Sequence, residues 1–140
     1  MVLLILGVIS YFAATRLFSG DAPSQGAEME LLKNHLRYAQ ARAMNTERDW
    51  GIFFESATNK YFLFRGDAPG VPVRLPGAES ADGKITLRSF TFRRVHNSPI
   101  ENTVLFRSAE NGSPGAVTLT VQFMETGGDI TVTKNTGFIP

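Results

Sequence analysis

The chain has 140 residues, with 14 Lys and Arg against 13 Asp and Glu, for a formal net charge of +1 at pH 7. That length holds a terminal helix plus one domain with its own core, and the balanced charge provides no global field for nucleic acid or an acidic partner. Cysteine is absent, which excludes disulfide staples, thiolate metal sites and a cysteine nucleophile, while eleven Phe among many Val, Ile and Thr favour strands.

Residues 1–18 (MVLLILGVISYFAATRLF) carry no charge before Arg16. As a helix they reach about 27 Å, just short of the ~30 Å hydrocarbon core of a bilayer, so the run reads as most of a membrane span whose beginning is missing. A secretory signal would place basic residues ahead of the apolar run and a small-x-small site behind it; here nothing basic precedes, and Arg16, Leu17 and Phe18 follow. The better reading is a helix that sits in lipid or in a bundle of like helices, rather than a cleaved signal or a core helix. Residues 19–24 (SGDAPS) form a breaker, in which Pro23 disfavours helix at Ala22 and Ser19, Asp21 or Ser24 can cap a restart.

Over residues 25–46 the pattern is helical: Met29, Leu32, Leu36, Ala39 and Ala43 recur at three- and four-residue steps. Lys33, Arg37, Gln40 and Arg42 take the other faces, and His35 is expected on the polar side. Beyond Thr46 the period becomes two. Residues 50–56 and 60–65 read as a hairpin turning at residues 57–59. The proline- and glycine-rich stretch that follows leaves room only for a short extended piece at residues 71–75, which its prolines make an edge strand or a loop. Ile85 and Leu87 share one face and Phe90 and Phe92 the other, a phase change that predicts a bulge near Ser89. Residues 103–107 make a short strand, and Val117, Leu119, Val121 and Phe123 alternate strictly with polar residues before a turn at residues 126–128 and a last strand at 130–133. The expected fold class is α+β: an N-terminal helix, broken near residues 19–24, followed by about seven strands in a β-rich head at residues 47–140.

Little in this pattern suggests catalysis. His35 and His96 belong to no metal-ligand or triad spacing, Asp67, Asp82 and Asp129 each neighbour a glycine in a loop, and Gly127-Gly128 opens onto a strand and not a helix N-terminus. No cofactor and no metal is expected. Arg88, Arg93 and Arg94, interleaved with Phe90 and Phe92, are the one candidate for nucleic-acid contact, through base stacking and phosphate neutralisation. The simpler account makes the phenylalanines core residues, with the arginines snorkelling at the edges.

Several segments together resemble a type IV pilin-like protein of the GspH/FimT class of minor pilins and pseudopilins. Residues 1–10 (MVLLILGVIS) look like the middle of the pilin helix, with Gly7 at the family's helix glycine, and residues 13–18 (AATRLF) look like its Ala-x-Pro-Arg-Phe segment, with Thr15 in place of the proline. Residues 36–44 (LRYAQARAM) are similar to the second helical stretch of the class, especially of MSHA-type pilins, and residues 104–106, 111–114, 117–123 and 130–139 to its closing strands. The resemblance implies a non-enzymatic subunit of a type IV pilus or a type II secretion pseudopilus, single-pass in the bacterial inner membrane with a periplasmic head. Its partners would be other pilin or pseudopilin subunits, the inner-membrane assembly platform, and the lipid bilayer before assembly. Val2, Leu3, Leu6, Gly7 and Ile9 would pack the helices together. The family's peptidase cleavage and methylation site is expected upstream of Met1. Two alternatives carry other features: a membrane-tethered DNA-binding uptake pilin using Arg88, Arg93 and Arg94, and a secreted β-sandwich binding module with residues 1–18 as a cleaved signal.

Overall fold

The computed structural model describes residues 24–66, 68–108, 118–124, 128–133 and 138–140. Ser24 starts the one helix among them, α1 (Gln25–Asn45): its hydroxyl accepts the Ala27 N–H at 3.3 Å and its carbonyl the Glu28 N–H at 3.0 Å. Two of the orphan donors of the first turn are thereby satisfied. The other end closes through side chains. Asn45 Nδ2 donates to the Ala41 carbonyl, the Thr46 hydroxyl donates to the Arg42 carbonyl, and Trp50 Nε1 donates in turn to that hydroxyl at 2.6 Å. No helix among the described residues is long and apolar enough to cross a membrane; residues 1–18 lie outside them.

The helix buries Glu28, Leu32, His35, Leu36, Ala39 and Ala43, and packs on β1 (Trp50–Glu55) and β6 (Thr103–Phe106). Burying Leu32 or Leu36 contributes about 1.5–3 kcal/mol before the entropy of ordering is deducted. Small Ala39 and Ala43 let the backbones approach.

Among the described residues eight strands make two antiparallel sheets. The larger runs β3 (Ala68–Val73), β2 (Lys60–Arg65), β1, β6, with β4 (Ile85–Thr86) also pairing β2. The smaller runs β5 (Thr91–His96), β7 (Leu119–Met124), β8 (Ile130–Val132). The expected hairpin forms in full register, from Trp50 opposite Arg65 to Glu55 opposite Lys60. Trp50, Ile52, Phe54, Tyr61 and Leu63 share the face that receives both α1 and the small sheet; Phe54 stacks on Phe92 at 4.7 Å between ring centroids, joining the two sheets in one core. On the opposite face Gly51 lies across from Phe64, where a Cβ would come within 2.8 Å of the ring and 2.7 Å of the Val104 carbonyl, so only glycine fits. β3 is an edge strand and not a loop, and it spans residues 68–73 where 71–75 was expected, with Pro69 and Pro72 within it.

Two expectations need correction. The phase change near Ser89 is not a bulge within one strand. The chain leaves the large sheet at β4 and enters the small one at β5, and this extra division gives eight strands among the described residues where about seven were expected. The crossing is organised by Asn59, left-handed at φ 53°, whose amide donates to the Leu87 and Phe90 carbonyls and accepts the Phe92 N–H, all at 2.8–2.9 Å. A true register shift lies further on, between Phe92 and Arg94, and turns Arg93 and Arg94 outward together. His35, expected on the polar face, is 4% exposed. It falls in phase with Leu32 and Leu36, and buried polar partners compensate for its desolvation. The α+β class holds: one helix lies on antiparallel sheets.

Candidate functional site

The polar groups of α1 that turn inward gather beside a groove of about 520 Å³, lined on one wall by Ala27, Glu28 and Leu31 of the first turns and on the other by Gly77, Glu79, Ser80, Lys84, Ile85, Thr86 and Arg88. Glu28, 5% exposed, fixes the second wall from below: its two carboxylate oxygens accept the backbone N–H groups of Arg88 and Ser89, each at 2.7 Å. Gln25 Nε2 donates to the Ser89 carbonyl at 3.1 Å, so the first turn of the helix grips this segment twice. Charge-assisted bonds of this kind are about twice as strong as neutral ones.

Two turns further along, His35 Nε2 lies 3.1 Å from the Pro76 carbonyl and Nδ1 lies 2.9 Å from the Tyr61 hydroxyl. A carbonyl only accepts, so Nε2 carries the proton and donates, and Nδ1 accepts from the tyrosine O–H. Burial pushes His35 below the ordinary imidazole value, opposed by the Pro76 contact. Burial, with the Glu28 charge second, pushes the Tyr61 phenol well above its usual range. The imidazole is thus neutral, with both nitrogens engaged, and fixes the loop; it offers no free nitrogen to a ligand or a reacting atom.

At the rim, Lys84 Nζ binds Glu55 Oε1 at 3.0 Å and lies over the Phe62 ring. The Glu55 carboxyl is held below its usual range by the Thr58 hydroxyl first and by Lys84 next. Leu31, 43% exposed, adds an apolar side chain to the helix wall of the groove.

The sequence-singled residues fall in separate places. Arg88 is exposed on the groove wall, whereas Arg93 and Arg94 are exposed on β5, where Arg94 Nε donates to Gln122 Oε1 at 2.9 Å. Phe90 and Phe92, at 2% and 3% exposure, are core residues and no platform for bases. His96 is exposed on β5. Val2, Leu3, Leu6, Gly7 and Ile9 lie outside the described residues. Among the described residues no group of three His, Asp or Glu side chains is placed to hold a metal ion.

Sequence reasoning missed Glu28 and His35. Their signal was positional: with Leu32, Leu36, Ala39 and Ala43 they complete one helical stripe, in which two polar side chains take core positions. No family model, no curated protein and no solved structure matches this chain.

Proposed function

We propose that this chain is a non-enzymatic minor pilin or pseudopilin of the GspH/FimT type, a structural subunit of a type IV pilus or a type II secretion pseudopilus. The observation that carries the reading is the apolar run ahead of α1: no charge before Arg16, then a short breaker, then a capped helix laid on an antiparallel sheet. In this reading residues 1–18 and α1 are two parts of one long helix broken near residues 19–24. An apolar helix joined to such a head satisfies itself either in lipid or among like helices. A pilin does both in turn, waiting single-pass in the bacterial inner membrane with its head in the periplasm and then moving into the filament. Its partners are other subunits and the assembly platform.

Leu6→Asp tests the packing claim. It should abolish recovery in sheared filaments while the head keeps its circular dichroism and thermal transition; recovery at the wild-type level would refute the claim. Identifying the native N-terminus by mass spectrometry of membrane and filament fractions is the second test. A methylated N-terminal phenylalanine supports the reading, and a mature start near Ser19 overturns it.

A further inference from the structure

We propose that the corner where α1 ends is a binding site for a doubly charged oxyanion, a phosphate group, held beside Trp50 by Arg42 of the helix and Arg65 of β2. Arg42, Arg48, Arg65 and Arg107 are scattered through the sequence, yet the fold gathers all four around one indole. Arg42 Cζ lies 4.5 Å from the centroid of the Trp50 ring and 5.5 Å from that of Tyr38, so two aromatic rings fix its guanidinium. Arg65 is the residue of β2 directly opposite Trp50, and side chains so paired start about 5 Å apart on one face. Phe106 is opposite Trp50 on the other side, which brings Arg107 to the same end of the sheet, and Arg48 lies in the turn between α1 and β1. Arg48, Arg65 and Arg107 are exposed, and Arg42 is half-buried.

The acceptors at this corner do not match its donors. Among the described residues no carboxylate or carbonyl accepts from the Arg42 guanidinium, and its Nε is buried without a partner. The other buried side-chain atom in that condition is the Ser108 hydroxyl, at the same corner and fully buried. Asp49 Oδ1 is taken by the Ser108 N–H at 2.8 Å, and Glu47 points its residue into solvent from the turn. The carbonyl end of α1 favours a cation in its last turn, which accounts for Arg42 but not for three more arginines. Guanidiniums at this spacing repel, and an anion between them turns the repulsion into attraction.

An arginine fork matches phosphate oxygens through charge-assisted bonds from adjacent N–H groups, and it stays ionised at any working pH. A phosphate group carries nearly two charges at neutral pH, enough to serve both guanidiniums, whereas a carboxylate carries one. The site draws only on residues 38–108 and is independent of the role of residues 1–18.

Trp50, the only tryptophan, lies against Arg42 and reports occupancy. The full chain at about pH 7.5 is titrated with sodium phosphate, with ionic strength held constant by sodium chloride. A saturable change in Trp50 fluorescence with a midpoint of about 1 mM is expected, and acetate should bind at least about tenfold more weakly. Arg42→Gln should abolish the change and Arg65→Gln should weaken binding about tenfold, while Arg93→Gln, which removes the same charge from β5, should leave it unaltered. In the wild type the Arg42 Nε–H resonance should shift with the same midpoint, a measurement that needs no variant. A linear response shared with chloride, equal binding of acetate and phosphate, or an unmoved Arg42 resonance would each overturn the proposal. So would full binding by an Arg42→Gln chain with wild-type circular dichroism. A phosphate monoester in place of the free ion separates the sources: tighter binding of the ester assigns the site to a phosphorylated partner, and tighter binding of the ion assigns it to free phosphate.

Discussion

Asn59→Ala removes the groups that hold the crossing between the two sheets. Three bonds vanish: the donations to the Leu87 and Phe90 carbonyls and the acceptance from the Phe92 N–H. The side chains of Leu87, Phe90 and Phe92 are all buried, so the released backbone groups have limited access to water. At about 1 kcal/mol for each bond, the hydrogen bonds account for about 3 kcal/mol. Alanine must also keep the left-handed φ of 53°, which adds about 1–2 kcal/mol. The expected loss is about 4–5 kcal/mol, a large part of the ~5–15 kcal/mol that stabilises a domain. Trp50 is the only tryptophan and is buried beneath Arg42, so its fluorescence reports unfolding in urea. At a slope of about 2 kcal/mol per molar urea, the midpoint should fall by about 2 M. Asn59→Gly relieves only the backbone part and should recover about 1 kcal/mol of the loss. A loss below about 1.5 kcal/mol, or identical midpoints for Ala and Gly, would refute the view that Asn59 organises the crossing.

Glu28→Ala should cost about 3–5 kcal/mol in the same assay, since two backbone donors lose a charged acceptor; Glu28→Gln, which keeps one carbonyl oxygen, should lose about half as much. Equal stability of all three forms would mean that water replaces the carboxylate. Arg93→Ala combined with Arg94→Ala should leave stability within about 0.5 kcal/mol and filament recovery at the wild-type level, because both side chains lie on the open surface. If instead the wild-type chain binds DNA with steep salt dependence and the double variant does not, the uptake-pilin reading replaces the purely structural one.

Local chemistry made much of this fold legible in advance. Ser24 and the Leu32–Leu36–Ala39–Ala43 stripe define α1, the aromatic alternation of β1 and β2 defines their hairpin, and Leu119, Val121 and Phe123 define β7. Where the determinants are distant in sequence, the reading failed. His35 is buried because Tyr61, 26 positions away, and Pro76, 41 away, offer partners that no helical wheel displays. The apparent flaw at Ser89 is a change of sheet enforced by Asn59 and Glu28, both in other elements. The three arginines looked like one cluster because they are neighbours in sequence, yet the crossing puts Arg88 on the groove and the other two on the small sheet.

The prolines of β3 bear on a hazard common to proteins kept at high local density. An unpaired strand edge is a template for another strand, and runaway polymerisation into β-aggregates usually begins there. Pro69 and Pro72 remove two backbone donors from that edge, and Val71 between them is left 61% exposed with no continuous ladder for an incoming strand to join. The large sheet is therefore closed to lengthening on this side, so ordered growth of any assembly must proceed through other surfaces.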